Sequence, residues 1–148
     1  MDALVNEMME TFQRFARAEW RKQSVSGIKS SEVRVLICLK ILISESDRGV
    51  NITDLSRKLS ITSPSITQMI KNLMTDGFVE RYNDPRDKRI TLIRLTDKGE
   101  GVAQKSYERY MLYFSGLIER LGEEQSRTLI ALLSEVYSYT HETGTFDG

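Results

Sequence analysis

One cysteine, Cys38, and one histidine, His141, occur in the 148 residues. A lone cysteine cannot build an intrachain disulfide framework or a thiolate-rich metal site. A lone histidine near the end of the chain leaves no His-based triad, relay or metal cluster. No Gly-rich phosphate loop follows a strand-like run, and no nucleophile motif is present. The expectation is therefore a protein that is not an enzyme and uses no cofactor and no metal. Proline is also scarce: with only Pro64 and Pro85, long helices are permitted almost everywhere. Long apolar runs are missing too, since the longest, Val35 to Leu39, stops at Lys40 and is far too short to span a bilayer. The opening Met1 to Glu10 mixes Asp2, Glu7 and Glu10 with its apolar residues and has no basic segment leading into an apolar one. A cytoplasmic protein without a membrane partner is expected.

A net charge of zero argues at first against an anionic partner, but its distribution carries more information than its sum. Residues 51–94 hold 8 Lys/Arg against 5 Asp/Glu, a net +3, whereas residues 95–148 hold 5 against 9, a net −4. A basic centre joined to an acidic C-terminal part indicates two tasks, only one of which faces an anion.

Apolar residues Leu4, Val5, Met8, Phe12, Phe15, Ala16 and Trp20 recur every three or four positions, which predicts an amphipathic helix from Ala3 to about Lys22. Gln23 to Gly27 breaks it. Ser30 or Ser31 is placed to cap a second helix reaching Ser44, apolar on nearly every side and therefore buried on more than one face. Cys38 lies inside that helix between Ile37 and Leu39, which reads as a buried structural thiol, with a redox switch as the alternative. Asn51 followed by Asp54 caps a short third helix that turns Ile52, Leu55 and Leu59 inward. Ser63 as cap with Pro64 next starts a fourth, whose stripe is Ile66, Met69, Ile70 and Leu73 and whose end is Gly77. Two short helices joined by a tight turn are the core of a helix-turn-helix. Phe78 to Tyr82 and Ile90 to Leu95 then read as a β-hairpin, although alternation in the second run does not say which face is buried. Thr96 caps a long helix from Asp97 to Leu121, Gly122 interrupts it, and a last helix starts at Glu123. The fold class is thus mainly α, a winged helix-turn-helix with helical segments at both ends. Its parts are residues 1–29, 30–95 and 96–148.

Opposite the apolar stripe of the fourth helix stand Ser63, Ser65, Thr67, Gln68, Lys71 and Asn72. Such side chains donate to and accept from base edges or hold phosphates, and they are short enough for the helix to enter a major groove. The hairpin tip adds Arg86, Lys88 and Arg89, three cations on a protrusion suited to a narrow, negative minor groove. Asp87 at first looks out of place beside a polyanion. Two residues before Arg89, it can instead orient that guanidinium through a bidentate pair.

Taken together, Gly77-Phe78-Val79-Glu80-Arg81, Asp87-Lys88-Arg89 and Leu95-Thr96-Asp97-Lys98-Gly99 resemble the MarR family of transcription regulators over nearly the whole chain. The resemblance implies a recognition helix at 63–76, a wing arginine at Arg89 with Asp87 as its partner, and a homodimer formed through the first and last helices. It also implies double-stranded DNA as partner, through a pseudo-palindromic operator, and repression as the commoner outcome. Lys88 departs from the arginine or small residue common there. Phe12, Phe15, Trp20, Tyr107, Tyr110, Tyr113 and Phe114 could line a pocket for a small aromatic effector, or could be interhelical core. A winged helix used for protein contacts alone is the rival reading, and it would present an apolar or acidic recognition face.

Overall fold

The computed structural model describes residues 2–18 and 27–144. Trp20, the end of the first predicted helix and the break at 23–26 lie outside the described residues. The elements run α1 (Ala3–Ala16), α2 (Ser30–Glu45), α3 (Ile52–Leu59), α4 (Ser63–Thr75), β1 (Val79–Asn83), β2 (Thr91–Leu95), α5 (Asp97–Leu121) and α6 (Glu123–Thr143). The chain forms two compact units, residues 1–107 and 108–148, which divide within α5.

The core of the first unit is built by the residues whose spacing matched the helical period. Leu36 and Leu39 of α2, Leu55 of α3, and Ile66, Ile70 and Leu73 of α4 are completely buried. At roughly 1.5–3 kcal/mol each, burial of such side chains is the main favourable term holding the three helices together. Around α3 the local rules hold in detail. The Asn51 side chain accepts from the Asp54 N–H at 2.8 Å, and the Asp54 carboxylate accepts from the Asn51 N–H at 3.0 Å. Two caps differ from the sequence expectation. Helix α2 is preceded by Lys29, whose carbonyl accepts from Val33 N at 3.0 Å, so Ser30 is already helical. Helix α4 is capped by Thr62, whose carbonyl takes the first helical bond from Ile66 N at 3.0 Å, so Ser63 and Pro64 form its first turn.

Strands β1 and β2 are antiparallel, with Val79 opposite Leu95 and Asn83 opposite Thr91. The ambiguous alternation of β2 has a physical cause: both of its faces are covered. Ile93 joins the helical core, and its N–H donates to the Val50 carbonyl at 2.8 Å, which adds a one-residue bridge to the hairpin. Leu92 points the other way and lies over Gly49, where an added Cβ would meet Leu92 Cδ1 at 2.7 Å and the Tyr82 hydroxyl at 2.8 Å. With φ at +86°, Gly49 is required both by conformation and by space.

The exit from α4 is fastened to the entry of α5. Asp76 and the positive-φ Gly77 end α4, and Phe78 N donates back to Leu73 O at 2.8 Å. The Phe78 carbonyl accepts from Thr96 N at 3.1 Å, while Thr96 Oγ1 donates to Gly77 O at 2.6 Å and accepts from Gly99 N at 3.1 Å. Lys98 closes the junction, donating to Asp76 O at 2.8 Å with its ammonium 4.3 Å from the centre of the Phe78 ring.

In the second unit, Gly122 at φ +79° separates α5 from α6, and its carbonyl accepts from both the N–H and the hydroxyl of Ser126. Among the described residues of this unit Ser126 alone is buried. Leu112, Ile130 and Leu132 are each more than half exposed. Helix α1 likewise contains no buried residue and exposes Leu4, Met8 and Phe12.

The junction gives a stability test. A Cβ on Gly99 would sit 1.8 Å from the Phe78 carbonyl oxygen, whereas one on Gly101 would meet nothing within 4 Å. Gly99→Ala is expected to destabilise the protein by about 3 kcal/mol through overpacking against backbone. Gly101→Ala should stabilise it by roughly 0.5–1 kcal/mol as an ordinary helix-propensity gain. Urea unfolding of both variants checks this, and a Gly99→Ala midpoint equal to that of the parent would contradict the close approach.

Candidate nucleic-acid interface

Helix α4 presents Ser63, Ser65, Gln68 and Lys71 as exposed side chains, with Thr67 half-buried beside them. Their arrangement follows from the burial of Ile66, Ile70 and Leu73, which turns the complementary face outward. The hydroxyls are partly organised by the helix itself. Thr67 Oγ1 donates to Ser63 O at 2.9 Å, and Thr62 Oγ1 donates to Ser65 Oγ at 3.0 Å. Asn72 differs from its neighbours. It is half-buried, its Nδ2 donates to the Glu32 carboxylate at 3.1 Å, and its Oδ1 accepts from Gln68 Nε2 at 3.1 Å.

The wing tip is a set of short turns stapled by its two carboxylates. Asp84 accepts from Arg86 N at 2.9 Å through its side chain, and its own N–H donates to Ile90 O at 2.9 Å. Asp87 accepts from Arg89 N at 3.1 Å, and its carbonyl takes Ile90 N at 3.0 Å. Asp87 also receives the Arg89 guanidinium in two parallel bonds, from Nε at 3.0 Å and Nη2 at 2.9 Å. The arginine side chain is 89% exposed and its partner 32%, so the cation projects while the carboxylate is partly tucked beneath it. The side-chain and then the backbone hydrogen bonds from Arg89 hold the Asp87 carboxyl below its usual range, and the same pair raises the Arg89 guanidinium. Arg86 and Lys88 are exposed on either side. Further back on the hairpin, Arg94 pairs with Glu80 at 2.6 Å and lies 4.6 Å from the centre of the Tyr82 ring, which stiffens the stem.

Two features bear on other chemistry. Cys38 is 5% exposed, and burial pushes its thiol up to about 11, which is the opposite of what a reactive thiolate needs. An open cleft of about 460 Å³ is lined by Leu42, Glu45, Ser46, Gly49, Val50, Asp54, Arg57 and Lys58, with no aromatic residue among them. Of the aromatics considered for an effector pocket, Tyr110, Tyr113 and Phe114 pack on one another, with Tyr113 edge-on to Phe114 at 5.2 Å. Glu32 is the residue that the sequence did not reveal. It resembles any acidic residue in a first helical turn, and only the fold brings it to Asn72, 40 positions along the chain.

A helix-turn-helix whose second helix leads directly into a cationic β-hairpin is a winged helix. The family model described as "MarR family" matches residues 28–91, from the start of α2 through the wing. An uncharacterized HTH-type transcriptional regulator, YdgJ of Bacillus subtilis, is 30% identical over 114 residues, covering 77% of this chain and 66% of YdgJ. The chain thus spans a little under two thirds of that relative's length. Among solved structures, the S. aureus MepR–DNA complex superposes with a TM-score of 0.67 at 20% identity, covering 93% of this chain and 96% of MepR. A MarR variant from E. coli complexed with operator DNA gives 0.65 at 23%, covering 91% and 99%. The winged helix of this chain, residues 28–91, belongs to the MarR family. That family comprises transcriptional regulators rather than enzymes, and no described helix is long and apolar enough to cross a membrane.

The wing pair has a pH signature of definite sign. Because the Asp87 carboxyl is lowered on folding, the pair is intact above the ordinary carboxylate range and opens only as pH falls through the lowered value. Carbon-detected NMR titration should place the Asp87 midpoint below the ordinary 3.8, and Arg89→Ala should return it toward that value. An Asp87 midpoint indifferent to Arg89→Ala would show that the pair does not form in solution.

Proposed function

We propose that this protein is a cytoplasmic transcription regulator that binds double-stranded DNA sequence-specifically as a homodimer. The observation that carries the reading is the pairing, on one winged helix, of an exposed polar recognition face with a pre-oriented, projecting Arg89. Gln68, with Ser63, Ser65, Thr67 and Lys71 around it, is assigned to base edges and phosphates of a major groove. Arg89 enters the neighbouring minor groove with Arg86 and Lys88 on flanking phosphates, and Asp87 fixes its approach. Two protomers place their α4 helices in successive major grooves roughly 34 Å apart on a pseudo-palindromic operator. The DNA-bound state of MepR and of the MarR variant, named in their structures, supports the assignment. Repression is the outcome we favour, with release by a small aromatic effector as its control. A winged helix dedicated to protein contacts fits less well, because the exposed face of α4 is polar and carries Lys71.

Separate roles for the two elements give distinct mutational signatures. Arg89→Ala should weaken binding to all duplexes, by roughly 1–3 kcal/mol per protomer. Gln68→Ala should instead relax discrimination at one or two base pairs of each half-site. Asp87→Ala should act as a milder Arg89→Ala although it removes a negative charge. Binding curves at fixed salt, on a duplex selected from a random library and on a scrambled one, measure all three. Tighter binding by Asp87→Ala would mean that Asp87 merely repels phosphate and would sink this account of the wing.

Dimerisation is supported by the apolar surface left open on α1, α5 and α6 in a single chain. Sedimentation equilibrium at micromolar concentration should return twice the 17.0 kDa protomer mass. A folded monomer would remove the two-fold operator model.

A further inference from the structure

We infer that Glu32 sets which base Gln68 reads, acting through Asn72. This rests on the assignment of α4 as the base-reading helix. Glu32 is 6% exposed, in the first turn of α2, and its carboxylate accepts from Asn72 Nδ2 at 3.1 Å. Asn72 Oδ1 in turn accepts from Gln68 Nε2, also at 3.1 Å. The direction of this chain is dictated by chemistry. A carboxylate accepts hydrogen bonds and donates none, so Asn72 must turn its amide nitrogen inward. Its oxygen then faces Gln68, and Gln68 must supply a donor.

The consequence appears at the outer end. With one Nε2 hydrogen committed to Asn72, Gln68 keeps one N–H and its Oε1 for DNA. That donor–acceptor couple matches N7 and the N6 amino group of adenine. Were the chain reversed, Gln68 would accept from Asn72 and offer two N–H donors outward, a set that suits N7 and O6 of guanine. Glu32 is thus a positioning residue: it touches no base, yet it selects the polarity with which the reading amide is presented. Asn72 becomes the link between them rather than an independent reader.

Glu32→Gln tests the inference, because a glutamine there can accept or donate and so opens both directions of the chain. Duplexes selected from a random library by the parent are varied at every base pair, and binding is measured for the parent, Glu32→Gln, Asn72→Ala and Gln68→Ala. At the base pair governed by Gln68, the preference for adenine over guanine should fall about tenfold in Glu32→Gln. Affinity for scrambled duplex should be unchanged, whereas a purely structural defect would weaken all sequences together. Asn72→Ala should lose preference at the same base pair, and adding Glu32→Gln to it should change nothing further. If Glu32→Gln and Asn72→Ala keep the parental preference while Gln68→Ala loses it, Gln68 is a reader without a relay and the inference is overturned. If Gln68→Ala alters preference nowhere, the base-reading assignment itself fails, and the relay with it. Should Glu32→Gln not fold, Asn72→Ala decides by the same criterion.

Discussion

The Phe78 carbonyl holds the winged helix in register. It takes the Thr96 N–H and lies against Gly99, so that the end of α4 and the start of α5 meet at backbone distance. The hairpin is a loop whose two ends are tied at that point. A hairpin of two strands alone is marginal in water, and this one is fixed by the Thr96 and Lys98 contacts at its base and by the Val50 bridge along its side. Helix α4 and the wing are therefore held to one frame. Two grooves of a duplex can be read together only if the separation of the two elements is held.

On this frame the polar groups are arranged before any partner arrives. Arg89 is an exposed cation that would ordinarily sample many rotamers, and the two bonds it donates to Asp87 remove much of that freedom. The gain is in geometry rather than in stability, since an exposed ion pair contributes little to folding. Gln68 is restrained in a similar way through Asn72 and Glu32, but from the buried side of the helix. The polar face of α4 and the core are thereby coupled: a carboxylate packed in the first turn of α2 reaches that exposed face through two amides.

Much of this architecture was legible along the chain because it is local. The helical period located α2 to α6, the Asn51–Asp54 box started α3 where a capping rule places it, and Gly77 ended α4. The spacing of Asp87 and Arg89 was enough to propose their pair, since two residues on one tight turn have few ways to meet. Other features were misread where neighbouring residues offer equivalent local chemistry. Ser30, Ser31 and Ser63 are all competent caps, and the choice of Lys29 and Thr62 depends on where the packed helices must begin.

By itself the sequence determined the order of elements, the polar face of α4, the cationic wing tip and the motif that marks the MarR family, all of which depend on residues within a few positions of one another. Tertiary structure alone decided that β2 is buried on both faces, because Val50 and Gly49 arrive from some 40 residues upstream. It also decided that Gly99 has no room for a Cβ, since the atom that excludes one belongs to Phe78. The partnership of Glu32 with Asn72 is of the same kind. A hydrogen bond between distant residues leaves no periodicity in the chain, and only the packing of α2 against α4 brings the two side chains within reach.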